Sequence, residues 1–382
     1  MHRKSAAIAL TLTIGAQLAL SQVKSTADKK FDFEFTNVVD TTNGFHSFGN
    51  FPAINNHTEV AFTATQDGTG PGVFRAHQGN EKLKTIASGL DGLSFFGDDV
   101  AINVDGVVAF GATTTTNSRA IFKGDGKFRL RIADSIADGL VRIGLGSPSI
   151  NRAGTVAFCA LLARAGSPGA IITANGGPLT TLLSTGAGFR SFQNAAINDD
   201  GTVAFSATLA DGNFGVFALS ENLVDVVDTV QHREIDSFSD PVINNTGAIA
   251  VAAFVLPSGA PEILTGLVGA ITPRNDPANP QFASAEHPSF NNRNAVAFSA
   301  IPTFAGDKSP TGIFLEVSGG QSLIPVVRPG DKLFGSTVDH VDLGRFALND
   351  RFELAFSYTL TDGRSGIGIA AFNGDAPKKE QP

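Results

Sequence analysis

The alternation of apolar and polar positions repeats seven times along the 382-residue chain. Each copy centres on the pattern Asn-x-x-Gly-x-Val-Ala-Phe, and the clearest copies read INVDGVVAF at 102–110, INRAGTVAF at 150–158 and INDDGTVAF at 197–205. The asparagine of each copy lies at Asn55, Asn103, Asn151, Asn198, Asn244, Asn291 and Asn349, at spacings of 48, 48, 47, 46, 47 and 58 residues. A regular period of this length indicates one large repeat fold rather than several unrelated domains.

Within one copy the pattern predicts four short strands. In the first copy an apolar segment ends at Ile54-Asn55, a tight turn follows, and strands are predicted at 60–64, 72–75 and 83–87. Four short strands in about 47 residues are typical of a propeller blade. A β-helix coil has a much shorter period, and helical repeats show a 3.6-residue periodicity that this sequence lacks.

The strand after the turn predicts how the units pack. One of its faces carries Val60, Phe62 and their equivalents. The other face carries an alanine in every copy, at Ala61, Ala109, Ala157, Ala204, Ala250, Ala297 and Ala355. Large side chains on one face and small ones on the other allow neighbouring sheets to wedge together around an axis.

The two ends of the repeat region complement each other. The last copy stops after a strand at 366–372 and lacks its final strand, whereas residues 33–39 form an additional strand before the first copy. Pairing these two segments would close the ring and remove exposed sheet edges. We therefore predict an all-β, seven-bladed β-propeller of four-stranded blades over residues 33–372, with the N-terminal strand closing the last blade. An open β-array is the alternative.

The first residues have the features of a secretory signal peptide. His2, Arg3 and Lys4 precede an apolar stretch at 6–20, and Ala19-Leu20-Ser21 supplies small residues for cleavage near Ser21. We expect a signal peptide at 1–21, a flexible lead-in at 22–32 and a disordered polar tail at 373–382. The mature protein is then expected to be secreted or periplasmic, without a membrane span.

Composition narrows the classes of partner. The formal net charge of −8 argues against nucleic acid and anionic membranes. The chain has 31 Phe but 1 Tyr and 0 Trp, so its aromatic side chains suit core packing better than sugar stacking. Cys159 is the only cysteine, which excludes an intramolecular disulfide, and we interpret it as a small buried residue rather than a reactive thiol.

The repeat asparagine and glycine are explained by turn chemistry. An asparagine at the start of a turn accepts backbone N–H groups, and a glycine three positions later adopts a positive φ readily. Asp105, Asp199 and Asp200 lie in these turns, but they lack the full set of oxygen ligands of a calcium loop. We predict a structural role for the turns.

The units resemble the Asn-x-x-Gly-x-Val-Ala-Phe tandem-repeat proteins of bacteria, over about residues 33–372. This resemblance implies an exported repeat protein. It supplies no substrate, activity or catalytic residue.

Candidate ligand-binding residues lie in the loops that connect one blade to the next, where propellers commonly bind ligands. These residues are polar or charged: His46, Asp98, Asp99, Arg190, His232, Arg233, Asp240, Arg274, His287, Asp339 and His340. The four histidines could hold a divalent metal if they converge. The simpler interpretation is that they are scattered, solvated loop residues.

Two functions stay open at this level. The first is a non-catalytic binding or scaffold module for an extracellular protein or small ligand, monomeric and without a cofactor. It is favoured because no catalytic motif stands out. The alternative is a metal-assisted hydrolase or lyase whose site lies at the channel mouth on the blade-to-blade face.

Overall fold

The computed structural model describes residues 33–77, 83–144, 148–166, 168–186, 188–256, 260–267, 269–274, 282–302, 311–317 and 323–374. The predicted signal peptide at 1–21 and lead-in at 22–32 lie outside these residues, as does the predicted tail from residue 375 onward. In the described part of the chain, no helix has the length and apolarity needed to span a membrane.

Seven antiparallel sheets form a ring, with one sheet per blade. From its inner strand outward, blade 1 consists of Phe45–Phe48 with Ala53–Ile54, then Glu59–Gln66, Gly70–His77 and Lys84–Ser88. Blade 2 consists of Leu93–Ile102, Val108–Thr114, Arg119–Gly124 and Arg129–Asp134. Blade 3 consists of Leu140–Ile143 with Ser149–Ile150, then Val156–Leu162, Gly169–Ala174 and Thr180–Ser184. Blade 4 consists of Phe189–Ile197, Val203–Leu209, Phe214–Leu219 and Leu223–Asp228.

The remaining three blades follow the same plan. Blade 5 consists of Ile235–Phe238 with Val242–Ile243, then Ile249–Val255, Ala260–Gly266 and Thr272–Pro273. Blade 6 consists of Phe282–Phe290, Val296–Pro302, Gly312–Glu316 and Leu323–Val327. Blade 7 consists of Ser336–Leu348 with the short Lys332–Leu333, then Glu353–Leu360, Ser365–Phe372 and, outermost, Phe33–Asp40. Short 3-10 turns occur at Thr41–Asn43 and Gly89–Asp91.

The N-terminal strand closes the ring. Phe33–Asp40 pairs antiparallel with Ser365–Phe372, so that Phe33 lies opposite Phe372 and Asp40 opposite Gly366. Val38 and Val39 on this strand are each 1% exposed, which means that they are anchored in the core. The predicted seven-bladed propeller with this closing strand is therefore confirmed, and the open array is excluded.

The predicted wedge packing is also confirmed. In the cluster between blades 1 and 2, Ala61 packs with Val108 and Phe110. In the cluster between blades 7 and 1, Ala355 packs with Val60 and Phe62. The same pairing recurs at the other five interfaces. All seven alanines are 0% exposed, because each is covered by the large face of the next blade.

The turn asparagines act locally as predicted, with one addition. Five of them accept the backbone N–H two residues on, as Asn103 does from Asp105 at 3.1 Å. All seven Oδ1 atoms also accept the N–H four residues on, at 2.9–3.0 Å. The turn persists where glycine is replaced, since Thr58, Asn294 and Phe352 take its place with φ of 61°, 60° and 60°.

The same asparagines also connect the blades, which the sequence analysis did not anticipate. Each Nδ2 donates a hydrogen bond to the backbone oxygen of the asparagine in the next blade, and the last, Asn349, donates to Asn55. The seven bonds measure 2.9–3.2 Å and form a closed circle, the asparagine ring. One side chain therefore satisfies the turn of its own blade and the turn of its neighbour.

Replacing one member of the asparagine ring should destabilise the whole fold. Asn103→Ala removes the acceptor of two backbone N–H groups and the donor to Asn151 O at a site that is 5% exposed. We expect the free energy of unfolding to fall by about 2–3 kcal/mol, measured by denaturant titration. The matched control is Asp105→Ala, an exposed residue of the same turn, with an expected change within about 0.5 kcal/mol. Equal losses in the two variants would contradict the interpretation.

Candidate functional site

At the end of the central channel where the seven turns lie, the side chains contact one another. The residue before each ring asparagine is large and apolar, and the seven line a shallow depression of about 180 Å³: Ile54, Ile102, Ile150, Ile197, Ile243, Phe290 and Leu348. The residues after the asparagines form an open chain of hydrogen bonds from blade 3 round to blade 1, in which the N–H of Asp199, for example, donates to Asn245 Oδ1 at 3.0 Å. Five such bonds pair polar groups of the protein with one another at this end of the channel.

At the opposite end, the inner strands bulge toward the axis. The pairing register shifts between Phe96 and Val100, and it shifts at equivalent places in blades 4, 6 and 7. Extra residues in one strand leave the ladder and re-aim their side chains. In these four blades the residue four positions before the ring asparagine lies within the register shift. We call the described members of this position the axial set: Phe51, Asp99, Asn194, Asp240, His287 and Arg345. The blade 3 equivalent, Ser147, lies outside the described residues.

Contacts between non-adjacent blades show that members of the axial set extend into the central channel. The rings of Phe51 on blade 1 and His287 on blade 6 lie 4.8 Å apart, although blade 7 is between them. Arg345 on blade 7 donates from Nη2 to the oxygen of Pro241 on blade 5 at 2.5 Å, past blade 6. His287 has a φ of 51°, an uncommon conformation for a residue other than glycine.

The centre of this face is filled. Phe346 packs against the apolar clusters of blades 1–2, 2–3 and 5–6, so its ring lies at the axis. Arg345 is 4% exposed, and its guanidinium carbon lies 5.3 Å from the centroid of the Phe346 ring. The channel is therefore not an open pore at this level.

A recess opens beside the filled centre, between blades 3 and 4. Its volume is about 350 Å³, with Arg142 and Arg190 exposed at its edge and Cys159, Gln193 and Asn194 among its lining residues. Asn194 connects the recess to the axial set, because its Nδ2 donates to Asp240 Oδ2 at 2.8 Å. The recess lies on the blade-to-blade face, where the sequence analysis expected a binding site.

Buried polar atoms without partners lie next to this connection. Asp240 Oδ1, Arg345 Nε and Arg345 Nη1 are buried and accept or donate no hydrogen bond within the described structure. Buried polar groups in folded proteins are almost always paired, directly or through water. These three atoms are therefore the strongest indication of a ligand in the central region.

Cys159 lines the recess and is half-buried, and is therefore less enclosed than the small buried residue that the sequence predicted. Its thiol donates to the oxygen of Gln193 on the next blade. Loss of hydration around the sulfur, together with the negative charge of Asp240, raises the pKa of the thiol to about 12, and the charge of Arg345 opposes this shift. The group is a neutral thiol at physiological pH.

The candidate histidines other than His287 each have a carboxylate nearby in their own part of the chain. His46 contacts Asp67 at 2.5 Å, His232 contacts Glu234 at 3.0 Å and His340 contacts Asp342 at 2.9 Å. These pairs belong to blade 1, the connection from blade 4 to blade 5, and blade 7. Among the residues that the structure describes, no three His, Cys, Asp or Glu side chains are grouped closely enough to hold a metal ion.

Arg274 contributes to the packing of blade 5 against blade 6. Its Nη1 lies 3.3 Å from Glu316 Oε2, and its Nη2 donates to the oxygen of Asn294 in the turn of blade 6. Arg75 and Lys123 contact the equivalent turn oxygens of Gly106 and Gly154. A cation from one blade thus caps the turn of the next, and the expectation that Arg274 binds ligand is not supported by its contacts.

The remaining candidates are dispersed. Asp98 is exposed beside a depression between blades 1 and 2, and Arg233 lies beside another between blades 4 and 5. Asp339 is exposed on blade 7. Of the predicted site residues, Asp99, Asp240 and His287 occupy the same position of the repeat in three different blades. Arg190 lies at the edge of the recess. Sequence reasoning missed Asn194, Arg345 and Phe51, which counting back four residues from each ring asparagine would have found.

Solved structures share the fold at very low sequence identity. The acylaminoacyl peptidase of Pyrococcus horikoshii matches 87% of this chain at 10% identity with a TM-score of 0.56. The match covers 53% of the peptidase, so this chain spans about half of its length. The β-propeller domain of the trilobed protease from Pyrococcus furiosus, described as having an open velcro topology, matches 87% of this chain and 100% of that domain. Its identity is 8% and its TM-score 0.57, so both likenesses concern the fold alone.

At the level of sequence, no curated protein matches significantly. Residues 37–267 match the model of a family of unknown function, DUF7453. Because this match spans more than half of the chain, the protein belongs to the DUF7453 family.

Proposed function

We propose that the protein is an exported, non-catalytic binding propeller that holds a small ligand in the recess between blades 3 and 4. The observation that carries the proposal is the recess itself, about 350 Å³ in volume, which leads through Asn194 to buried polar atoms without partners. Preformed ligand sites are typically concave, with volumes of roughly 300–1,000 Å³ and a few convergent polar groups.

The charges at the edge of the recess favour an acidic ligand. Arg142 and Arg190 are both exposed there, whereas the chain as a whole carries a net charge of −8. A local cationic site on an acidic protein attracts anions over a short range, within which the distant negative charges are screened. Guanidinium groups also bind carboxylates with defined geometry.

Export rests on the sequence of residues 1–21, with its basic start, apolar stretch and small residues before the predicted cleavage point. We extend the expectation made from that segment and propose a secreted or periplasmic location for the mature chain. The resemblance to exported tandem-repeat proteins of bacteria agrees with this location.

A catalytic role has less support. The neutral thiol of Cys159 is a poor nucleophile, because the thiolate is the reactive form. The metal-assisted hydrolase or lyase would need several ligands at one point, and His46, His232 and His340 lie in separate pairs. No observation on the described residues favours this alternative over binding.

The ionisation state of the Cys159 thiol can be measured by alkylation with iodoacetamide at pH 8. A pKa of about 12 leaves roughly one thiol in 10,000 ionised at this pH, against about a quarter for a free cysteine. We expect the folded protein to react about a thousandfold more slowly than free cysteine, and the protein unfolded in guanidinium to react at the ordinary rate. A folded protein that reacts within about tenfold of free cysteine would show an activated thiol and weaken the non-catalytic proposal.

Binding can be tested on the mature chain with a panel of succinate, citrate, inorganic phosphate and glutamyl-glutamate. Thermal shift identifies binders, and calorimetry gives their affinities. We expect at least one carboxylate of the panel to bind. Arg190→Gln should weaken the affinity for that carboxylate about tenfold, which corresponds to about 1.4 kcal/mol of binding free energy. Arg119→Gln, an exposed arginine on blade 2 outside the recess, is the matched control and should leave the affinity unchanged. Binding that is equally strong in all variants, or no binding by any member, would contradict the proposal.

A further inference from the structure

The buried guanidinium of Arg345 has more hydrogen-bond donors than partners. It carries five N–H groups, and its only hydrogen bond among the described residues runs from Nη2 to the oxygen of Pro241. The three N–H groups on Nε and Nη1 have no acceptor there, although the residue is 4% exposed. Leaving charged donors buried without acceptors is costly, so a group from outside the chain is expected at this point.

The carboxylate of Asp240 is in the complementary situation. Its Oδ2 accepts the amide of Asn194, whereas its Oδ1 is buried without a donor in the described part of the chain. The free atoms of Asp240 and Arg345 do not bond to each other. An acidic group and a basic group at the same repeat position of two blades thus each keep buried polar atoms without a partner in the described structure.

Hydrogen bonds place both groups next to the recess. Asn194, which lines the recess, donates to Asp240 Oδ2. Arg345 Nη2 donates to the backbone oxygen of Pro241, the residue directly after Asp240. The unpaired donors and the unpaired acceptor therefore lie close to each other, beside the recess.

We propose that Arg345 and Asp240 form a subsite for a zwitterion, in which Arg345 binds the carboxylate and Asp240 the ammonium group of a free α-amino acid. The inference rests on the proposed function of the recess and names the chemistry of its ligand. A simple anion is repelled by Asp240, and a simple cation is repelled by Arg345. A zwitterion satisfies both groups and adds no net charge to the interior.

Water is the competing occupant. Buried waters commonly bridge polar groups, and one or two of them supply both a donor and an acceptor. A water-filled subsite would bind no amino acid, so the two occupants give different results in a titration.

The test uses calorimetry on the mature chain with three probes: glycine, acetate and methylammonium. Glycine carries both charges, and the other two each carry one. We expect glycine to bind, and acetate and methylammonium to bind at least tenfold more weakly than glycine. No glycine binding at tens of millimolar, or acetate binding as tight as glycine, would overturn the subsite, the first outcome indicating water alone and the second an anion site.

Variants separate the subsite from the rest of the recess. Asp240→Asn keeps the size of the side chain and an acceptor for Asn194. It should weaken the affinity for glycine at least tenfold, because the negative charge is lost. Asp98→Asn, an exposed carboxylate of the same face outside the recess, is the matched control and should have no effect. Arg345→Lys keeps the charge and provides a second test from the opposite partner, after thermal unfolding has shown that it folds. Unchanged glycine affinity in both Asp240→Asn and Arg345→Lys would refute the assignment.

The two sets of probes distinguish a failure of the subsite from a failure of the proposed function. If a carboxylate of the acidic panel binds in an Arg190-dependent manner while glycine does not bind, the subsite is wrong and the recess is still a binding site. If neither glycine nor any acidic probe binds, both proposals fail.

Discussion

The circle of seven asparagine hydrogen bonds is the interaction on which the rest of the structure depends. Each side chain accepts the N–H of its own turn and donates to the turn of the next blade, so the inner ends of all blades are fixed at one level. The N-terminal strand closes only the outer part of one blade, whereas the asparagine ring closes the axis itself. Because each bond is buried, losing one leaves polar groups that water cannot easily reach.

This constraint determines where chemistry can occur. The turn end of the axis is committed to structure, from the asparagines to the apolar side chains beneath them. Four residues earlier, the inner strands of blades 2, 4, 6 and 7 shift register, and the described residues at this position vary from Phe51 to Asp240 and Arg345. Because the asparagine turns hold the backbone of every repeat in the same conformation, the side chains four residues earlier can differ between blades. The ligand chemistry proposed for this protein lies at that position of the repeat.

The sequence predicted the fold well because its signals are local or periodic. The alanine in each Val-Ala-Phe segment, the turn glycine and the strand at 33–39 each report on neighbours at fixed offsets. The asparagine ring was missed because the donor Nδ2 of Asn103 finds its acceptor 48 residues away, and a turn alone already explains the asparagine. Candidates chosen by loop position were mostly dispersed. Arg274, for example, caps the turn of the next blade, since its partners Glu316 and Asn294 are close only after the blades have packed.

Hydrogen exchange of the seven turns tests the asparagine ring most directly. Of the seven N–H groups that donate to the Oδ1 atoms, five, such as those of Val107 and Thr202, lie in loops at the end of the propeller. The other two belong to Glu59 and Glu353, each the first residue of a strand. If the ring holds the axis together, all seven should exchange as slowly as the central strands and through the same global opening. If these N–H groups exchange at the rates of ordinary surface loops while the strands stay protected, the ring is not what holds the blades together.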